Sequence, residues 1–167
     1  MGPGFVIGFT NRDSGRDTDA VTAIDRACFT DGTVNVVAEL ERPWSKVWVA
    51  RAEESSEPRA FLIAWLVADE LHVLSLGTLP AFRRQGMGSA LLRHALGFAR
   101  ENGVRLVLLE VRRSNEVAIA LYRSLGFSAT AVRPHYYADN AEDAVEMSLE
   151  LDPATGAIQP GTDGVSI

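Results

Sequence analysis

HVLSLGTLPAFRRQGMGSALLRHALGFARENGVRLVLLEV, residues 72–111, changes its hydrophobic period twice, and those changes decide the fold. The stretch Leu71 to Thr78 alternates as a strand does. From Gly86 to Arg100 the side chains Met87, Ala90, Leu91, His94, Ala95 and Phe98 recur at helical spacing, which puts His94 on the inward stripe, and Asn102-Gly103 stops the helix. Val104 to Val111 is then a nearly continuous apolar run, as expected of a strand covered on both faces.

Upstream, Phe5 to Thr10 reads as a short strand and Thr18 to Phe29 as a helix whose face Val21, Ile24, Ala27 and Cys28 places Cys28 in the core. Val34 to Glu41 is a second short helix ended by Pro43, followed by a strand near Val47 to Ala52. Phe61 to Val67 pairs with Leu71 to Thr78 across Asp69-Glu70 as a hairpin. Downstream, Asn115 caps a helix through Leu125 that Gly126 closes. Strands follow at Phe127 to Val132 and Ala144 to Leu151, the last alternating Val145, Met147, Leu149 and Leu151 with Glu146, Ser148 and Glu150. This order predicts an α+β fold with a mixed sheet, a single domain over residues 1–151 and a flexible tail over 152–167, where Pro153, Gly156, Pro160, Gly161 and Gly164 break any periodicity.

Composition sets outer limits. The 167 residues suit one core, and 47% hydrophobic with 23% charged residues is an ordinary globular balance. A net charge of -6 disfavours a nucleic-acid or anionic-membrane partner. The single Cys28 forms no internal disulfide, and no cysteine spacing suits a structural metal. Met1 to Thr10 is too short and glycine-rich for a signal peptide, and no apolar run reaches membrane-span length, so a cytoplasmic protein is expected. The charge is unevenly spread: Arg83 to Arg133 holds nine arginines against three glutamates, +6, which leaves -12 for the remainder. One segment is suited to an anion.

That segment opens with Arg83-Arg84-Gln85-Gly86-Met87-Gly88-Ser89, between a strand and a helix. Two glycines let the backbone approach a ligand, the amides lie at the positive end of the helix dipole, and the arginines add charge, so the loop is built to cradle a pyrophosphate. It lacks the Gly-Lys-Ser/Thr of a nucleotide-triphosphate loop, and Leu91 stands where a dinucleotide fingerprint needs a third glycine. Glu110 shares a strand face with Leu106 and Leu108, which predicts a carboxyl among apolar neighbours that can act as a base; an edge glutamate reaching solvent is the alternative. Tyr122, on the inward face of its helix, offers a phenolic proton or simply packs. His72 and His94 have no metal-spaced partner, so no metal site is expected.

Together, Arg-Arg-Gln-Gly-Met-Gly-Ser, Leu-Glu-Val-Arg-Arg-Ser-Asn, Ala-Leu-Tyr-Arg-Ser-Leu-Gly-Phe and Arg-Pro-His-Tyr-Tyr resemble the GNAT acetyltransferases from about Thr18 to Leu151, and within them the branch that acetylates the N-terminus of a ribosomal protein. The resemblance implies a mixed, mostly antiparallel central sheet flanked by helices, with acetyl-CoA as acetyl donor. It implies that Leu76, Gly77 and Thr78 form the strand end that pairs with the pantetheine arm, that Arg83, Arg84, Gln85, Gly86, Met87, Gly88 and Ser89 hold the pyrophosphate, and that Asn115 contacts the cofactor. Glu110 becomes the general base, Tyr122 the general acid, and Tyr136 and Tyr137 a wall of the peptide site, with His135 a further candidate for substrate contact.

The implied acceptor is the N-terminal α-amine of a protein, by preference the alanine of a ribosomal protein. An α-amine with pKa about 8 is easier to deprotonate than a lysine near 10.4, so one glutamate suffices. Thr30 to Lys46 departs from the branch's pattern, where Pro-Trp commonly follows the phenylalanine. That departure leaves room for a small-molecule amine acceptor such as a polyamine, aminoglycoside or amino acid. A CoA-binding module without turnover is the rival from another class.

Overall fold

The computed structural model describes residues 4–10, 14–30 and 34–167. Met1, where the expected domain begins, and Asp31, in the segment after Phe29, lie outside the described residues. Two compact units emerge, one of residues up to 66 with 74–95, the other of 67–73 with 96–167.

In the first unit β1 (Phe5–Phe9) pairs antiparallel with β2 (Ser45–Ala52), and β2 with β3 (Pro58–Val67). Alternation along β2 and β3 sends Val47, Val49, Phe61 and Ile63 to one face, where they bury Val21 and Ile24 of α1 (Gly15–Cys28) and Val36 of α2 (Val36–Glu41). Each fully buried aliphatic side chain there contributes roughly 1.5–3 kcal/mol. Cys28 is only half-buried at the margin of this cluster, not inside it, because it lies in the last turn of α1.

Polar side chains fix the two helices. Asn35 caps α2, its Oδ1 accepting from the Ala38 amide at 3.1 Å. The buried Glu39 carboxylate accepts from the Trp65 indole at 2.6 Å and the Ser45 hydroxyl at 2.9 Å, and pairs with Arg42. Asp17 accepts from Thr10 Oγ1 at 2.7 Å and pairs with Arg51. Burial opposes ionisation of Asp17, but the bonds from Arg51, Thr10 and Ser14 outweigh it and hold the carboxyl below its usual range.

In the second unit the first half of β4 (Glu70–Thr78) runs parallel to β5 (Leu106–Arg112), from Glu70 opposite Leu106 to Val73 opposite Leu109. The crossover that a parallel pair requires is supplied by α3 (Met87–Glu101). Then β5 pairs antiparallel with β7 (Glu142–Leu151), and β7 with β6 (Ser128–Tyr137). The strands are mixed, as the sequence pattern predicts, and mostly antiparallel with helices between them, as the family resemblance implies. Among the described residues no helix is long and apolar enough to cross a membrane.

Three expectations need correcting. His94 is exposed, its ring edge-on to Trp48 with centroids 6.1 Å apart, since Leu91, Leu92 and Ala95 take the buried face of α3. Strand β6 does not stop at Val132 but continues to Tyr137. The stretch after Asp152 is not a loose tail: β8 (Ile158–Gln159) pairs with Leu151 and Glu150 of β7, Asp163 accepts from the Ala129 amide at 2.9 Å and pairs with Arg123 at 2.6 Å, and the Gly164 amide donates to Ala129 O at 2.9 Å. Scattered polar contacts of this kind leave no period for a sequence to display.

Candidate active site

The first unit carries the anion loop and the strand end before it. After the 3-10 turn Pro80–Phe82, Arg84 and Gly86 adopt left-handed backbones with φ of 61° and 84°, and Ala90 opens α3 by donating to Gly86 O at 2.9 Å. Successive turns of this type point backbone amides into one concavity. A Cβ added at Gly86 would meet nothing within 4 Å, and one at Gly88 only Thr78 Oγ1 at 3.9 Å, so the space over the loop is open. Arg83, Arg84 and Gln85 are exposed, buried Met87 anchors the helix start, and no carboxylate stands in the first turn of α3. An anionic diphosphate fits a loop so made.

At the strand end, Gly77 is held tightly: a Cβ there would come within 2.8 Å of Phe61 Cε1 and 3.2 Å of Cys28 Sγ. Thr78 O accepts from Cys28 Sγ at 3.3 Å and from Arg83 Nε at 3.2 Å. Leu76 and Thr78 flank the glycine, both half-buried.

The second unit carries the titratable groups. Glu110 does not sit among apolar neighbours: its side chain is 32% exposed, it stands opposite Glu146 in the β5–β7 register, and Arg133 Nη1 lies 3.6 Å from its Oε1. The expected apolar setting fails because the neighbour that matters comes from another strand, and cross-strand register is invisible in alternation along β5. Tyr122, on α4 (Glu116–Ser124), is buried to 7% exposure against Phe127, ring centroids 5.8 Å apart, as its place on the inward face predicts. Burial pushes its phenol up to about 12, so it stays protonated at neutral pH. Asn115 caps α4, its Oδ1 accepting from the Ala118 amide at 3.1 Å.

Tyr136 and Tyr137 lie edge to face, centroids 5.2 Å apart, at the end of β6. Between Arg133 opposite Ala144 and Tyr137 opposite Glu142 the strand carries extra residues, and His135 within this bulge has φ 53°. The Asp143 carboxylate accepts from the His135 amide at 3.1 Å, and the His135 ring Nδ1 is 3.1 Å from Ala141 O. Arg112 pins the hairpin: it lies 3.9 Å over the Tyr137 ring, 3.0 Å from Asp139 and 3.2 Å from Glu142. The Ser114 side chain and amide, with Asn140 and Arg112, hold the Glu142 carboxyl down at about 2, so it is ionised throughout the working range. Sequence reasoning gave Arg112, Arg133 and Glu146 no role; Arg133 stands in the motif Arg-Pro-His-Tyr-Tyr, which was the available signal.

Residues 18–127 match the family described as Acetyltransferase (GNAT) family. The chain belongs to the GNAT acetyltransferases. This GNAT enzyme is 41% identical over 100 residues to the ribosomal protein bS18-alanine N-acetyltransferase of Escherichia coli K12, across 59% of this chain and 68% of the relative. It is 46% identical over 86 residues to the N-alpha-acetyltransferase RimI of Mycobacterium tuberculosis, across 51% of this chain and 52% of that one. The crystal structure of the Escherichia coli ribosomal-protein-S18-alanine N-acetyltransferase superposes with a TM-score of 0.78 at 28% identity, covering 98% of this chain and 99% of that one. As a GNAT enzyme it is an acyltransferase that uses acetyl-CoA as its acetyl donor.

Proposed function

We propose that this enzyme acetylates the N-terminal α-amine of a protein, with the alanine of a ribosomal protein as the acceptor and the cytoplasm as its setting. What carries the reading is the structural match along 98% of the chain to an enzyme named for that acceptor. The pinned Tyr136–Tyr137 pair adds a rigid aromatic surface suited to a peptide wall.

Acetyl-CoA, when bound, supplies an acetyl carbonyl activated as a thioester. The amides of the loop Arg83 to Ser89 and the two arginines bind its diphosphate, the Asn115 side chain and the backbone at Leu76, Gly77 and Thr78 orient its arm, and Glu110 removes a proton from the acceptor ammonium. As the new N–C bond forms and the C–S bond breaks, the Tyr122 hydroxyl donates to the departing sulfur. No Cys28 acylation is invoked: that thiol is already engaged on Thr78 O.

Two measurements bear on this directly. Tyr122→Phe is expected to keep the fold and the affinity for CoA while lowering turnover at least about tenfold in a thiol-release assay, since general acid groups contribute on the order of 100-fold. An unchanged rate removes Tyr122 from the mechanism. In the second, an alanine-starting peptide, the same peptide N-terminally blocked but containing lysine, and spermidine are compared as acceptors. The free α-amine is expected to win by about tenfold or more, because its pKa is about 8 rather than near 10.4. Equal or faster acetylation of the blocked peptide or spermidine overturns the proposed acceptor.

A further inference from the structure

The antiparallel register of β5 and β7 sets Glu110 directly opposite Glu146. Two carboxylates so placed repel each other unless a cation joins them. Arg133, from β6, is that cation: its Nη2 lies 2.8 Å and its Nε 3.2 Å from Glu146 Oε2, while its Nη1 is 3.6 Å from Glu110 Oε1. The two contacts are unequal. Glu146 receives charge-assisted hydrogen bonds, whereas 3.6 Å to Glu110 is an ion pair beyond hydrogen-bond length.

The guanidinium is also open to solvent. Its side chain is 50% exposed, and exposed ion pairs of this kind are weak. The Tyr136 ring lies 5.8 Å from the guanidinium carbon and offers it an aromatic face. The other groups around these carboxylates are spoken for: Arg112, two residues beyond Glu110, is held by Asp139 and Glu142, and Thr130 Oγ1 lies 3.5 Å from Glu146 Oε1.

An α-amine with pKa about 8 arrives at neutral pH mainly as an ammonium. It needs what the guanidinium now has, a position between carboxylates. We propose that Arg133 is a stand-in for the acceptor: its guanidinium fills the cation position between Glu110 and Glu146 that the incoming N-terminal ammonium takes, and Glu146 is the second carboxylate that binds that ammonium. The proposal rests on Glu110 being the base that meets the acceptor. Arg133 withdraws to Tyr136 as the acceptor enters, so the site is never left as two bare carboxylates. A blocked N-terminus carries no charge there and does not displace it.

The test is the sign of a change in KM for an alanine-starting peptide at saturating acetyl-CoA. R133A and R133Q are both expected to lower acceptor KM about threefold with kcat little changed, as removal of a weak competing ion pair would do. R133K keeps a cation and stays near the wild-type KM. E146Q raises KM about tenfold, through loss of one charge-assisted contact, with a smaller effect on kcat. Added guanidinium chloride at non-denaturing concentration competes with the peptide more strongly in R133A than in wild type. A KM raised or unchanged in both Arg133 variants, or unchanged in E146Q, overturns the proposal. E110Q tells the two readings apart: wild-type kcat in E110Q removes the base assignment, while the direction of the KM change in the Arg133 variants still decides whether Arg133 holds the ammonium's place.

Discussion

Glu110→Gln is expected to cut turnover by about 100-fold or more near pH 7 while leaving CoA affinity as it is, because a positioned general base contributes on that scale. The substitution keeps the shape of the side chain and removes its ability to accept a proton, so the acceptor must shed its proton to water. Part of the lost rate therefore returns at high pH, where an α-amine of pKa about 8 is already neutral. Stability changes little, for Glu110 is 32% exposed and its ion pair to Arg133, 3.6 Å long, is a surface pair. Steady-state rates across pH, with calorimetry for CoA, check both halves; a wild-type rate at pH 7 removes the assignment.

Gly86→Asp is expected to weaken acetyl-CoA binding at least about 100-fold, from two additive causes. The backbone at Gly86 has φ 84°, which an L side chain adopts only with strain of about 1–3 kcal/mol, and the new carboxylate stands where the diphosphate must lie. Gly86→Ala separates them. It pays the strain alone, since its Cβ meets nothing within 4 Å in the protein, so its affinity falls between wild type and Gly86→Asp. Calorimetric titration with CoA measures all three, and equal affinity throughout would sink the loop assignment.

Much of this protein was legible from one sequence because its elements announce themselves locally. The period change between Leu71 to Thr78 and the helix from Gly86, the cap at Asn115 and the alternation of β7 are all properties of neighbouring residues, and each element appears within a few residues of its expected place. The anion loop was legible for the same reason: its glycines, arginines and helix start are contiguous. What escaped depends on partners far along the chain. Glu110 gains its character from Glu146 and Arg133, brought to it by the register of strands far along the chain, which composition does not reveal. His94 satisfies the helical period yet points outward, since the buried face runs through Leu91, Leu92, Ala95, Leu96 and Ala99, rotated away from it. The charge asymmetry was real in number, but several of those arginines serve the hairpin and the chain end rather than an anion: Arg112 grips Asp139 and Glu142, and Arg123 grips Asp163.

The segment beyond Leu151 bears on how the protein should be handled at the bench. Trimming there, the choice composition alone would recommend, takes away the partner of Glu150 and Leu151 in β8 and the Asp163 carboxylate on the Ala129 amide. It would leave backbone donors and acceptors exposed at a strand margin, which invites association with other molecules in a concentrated stock.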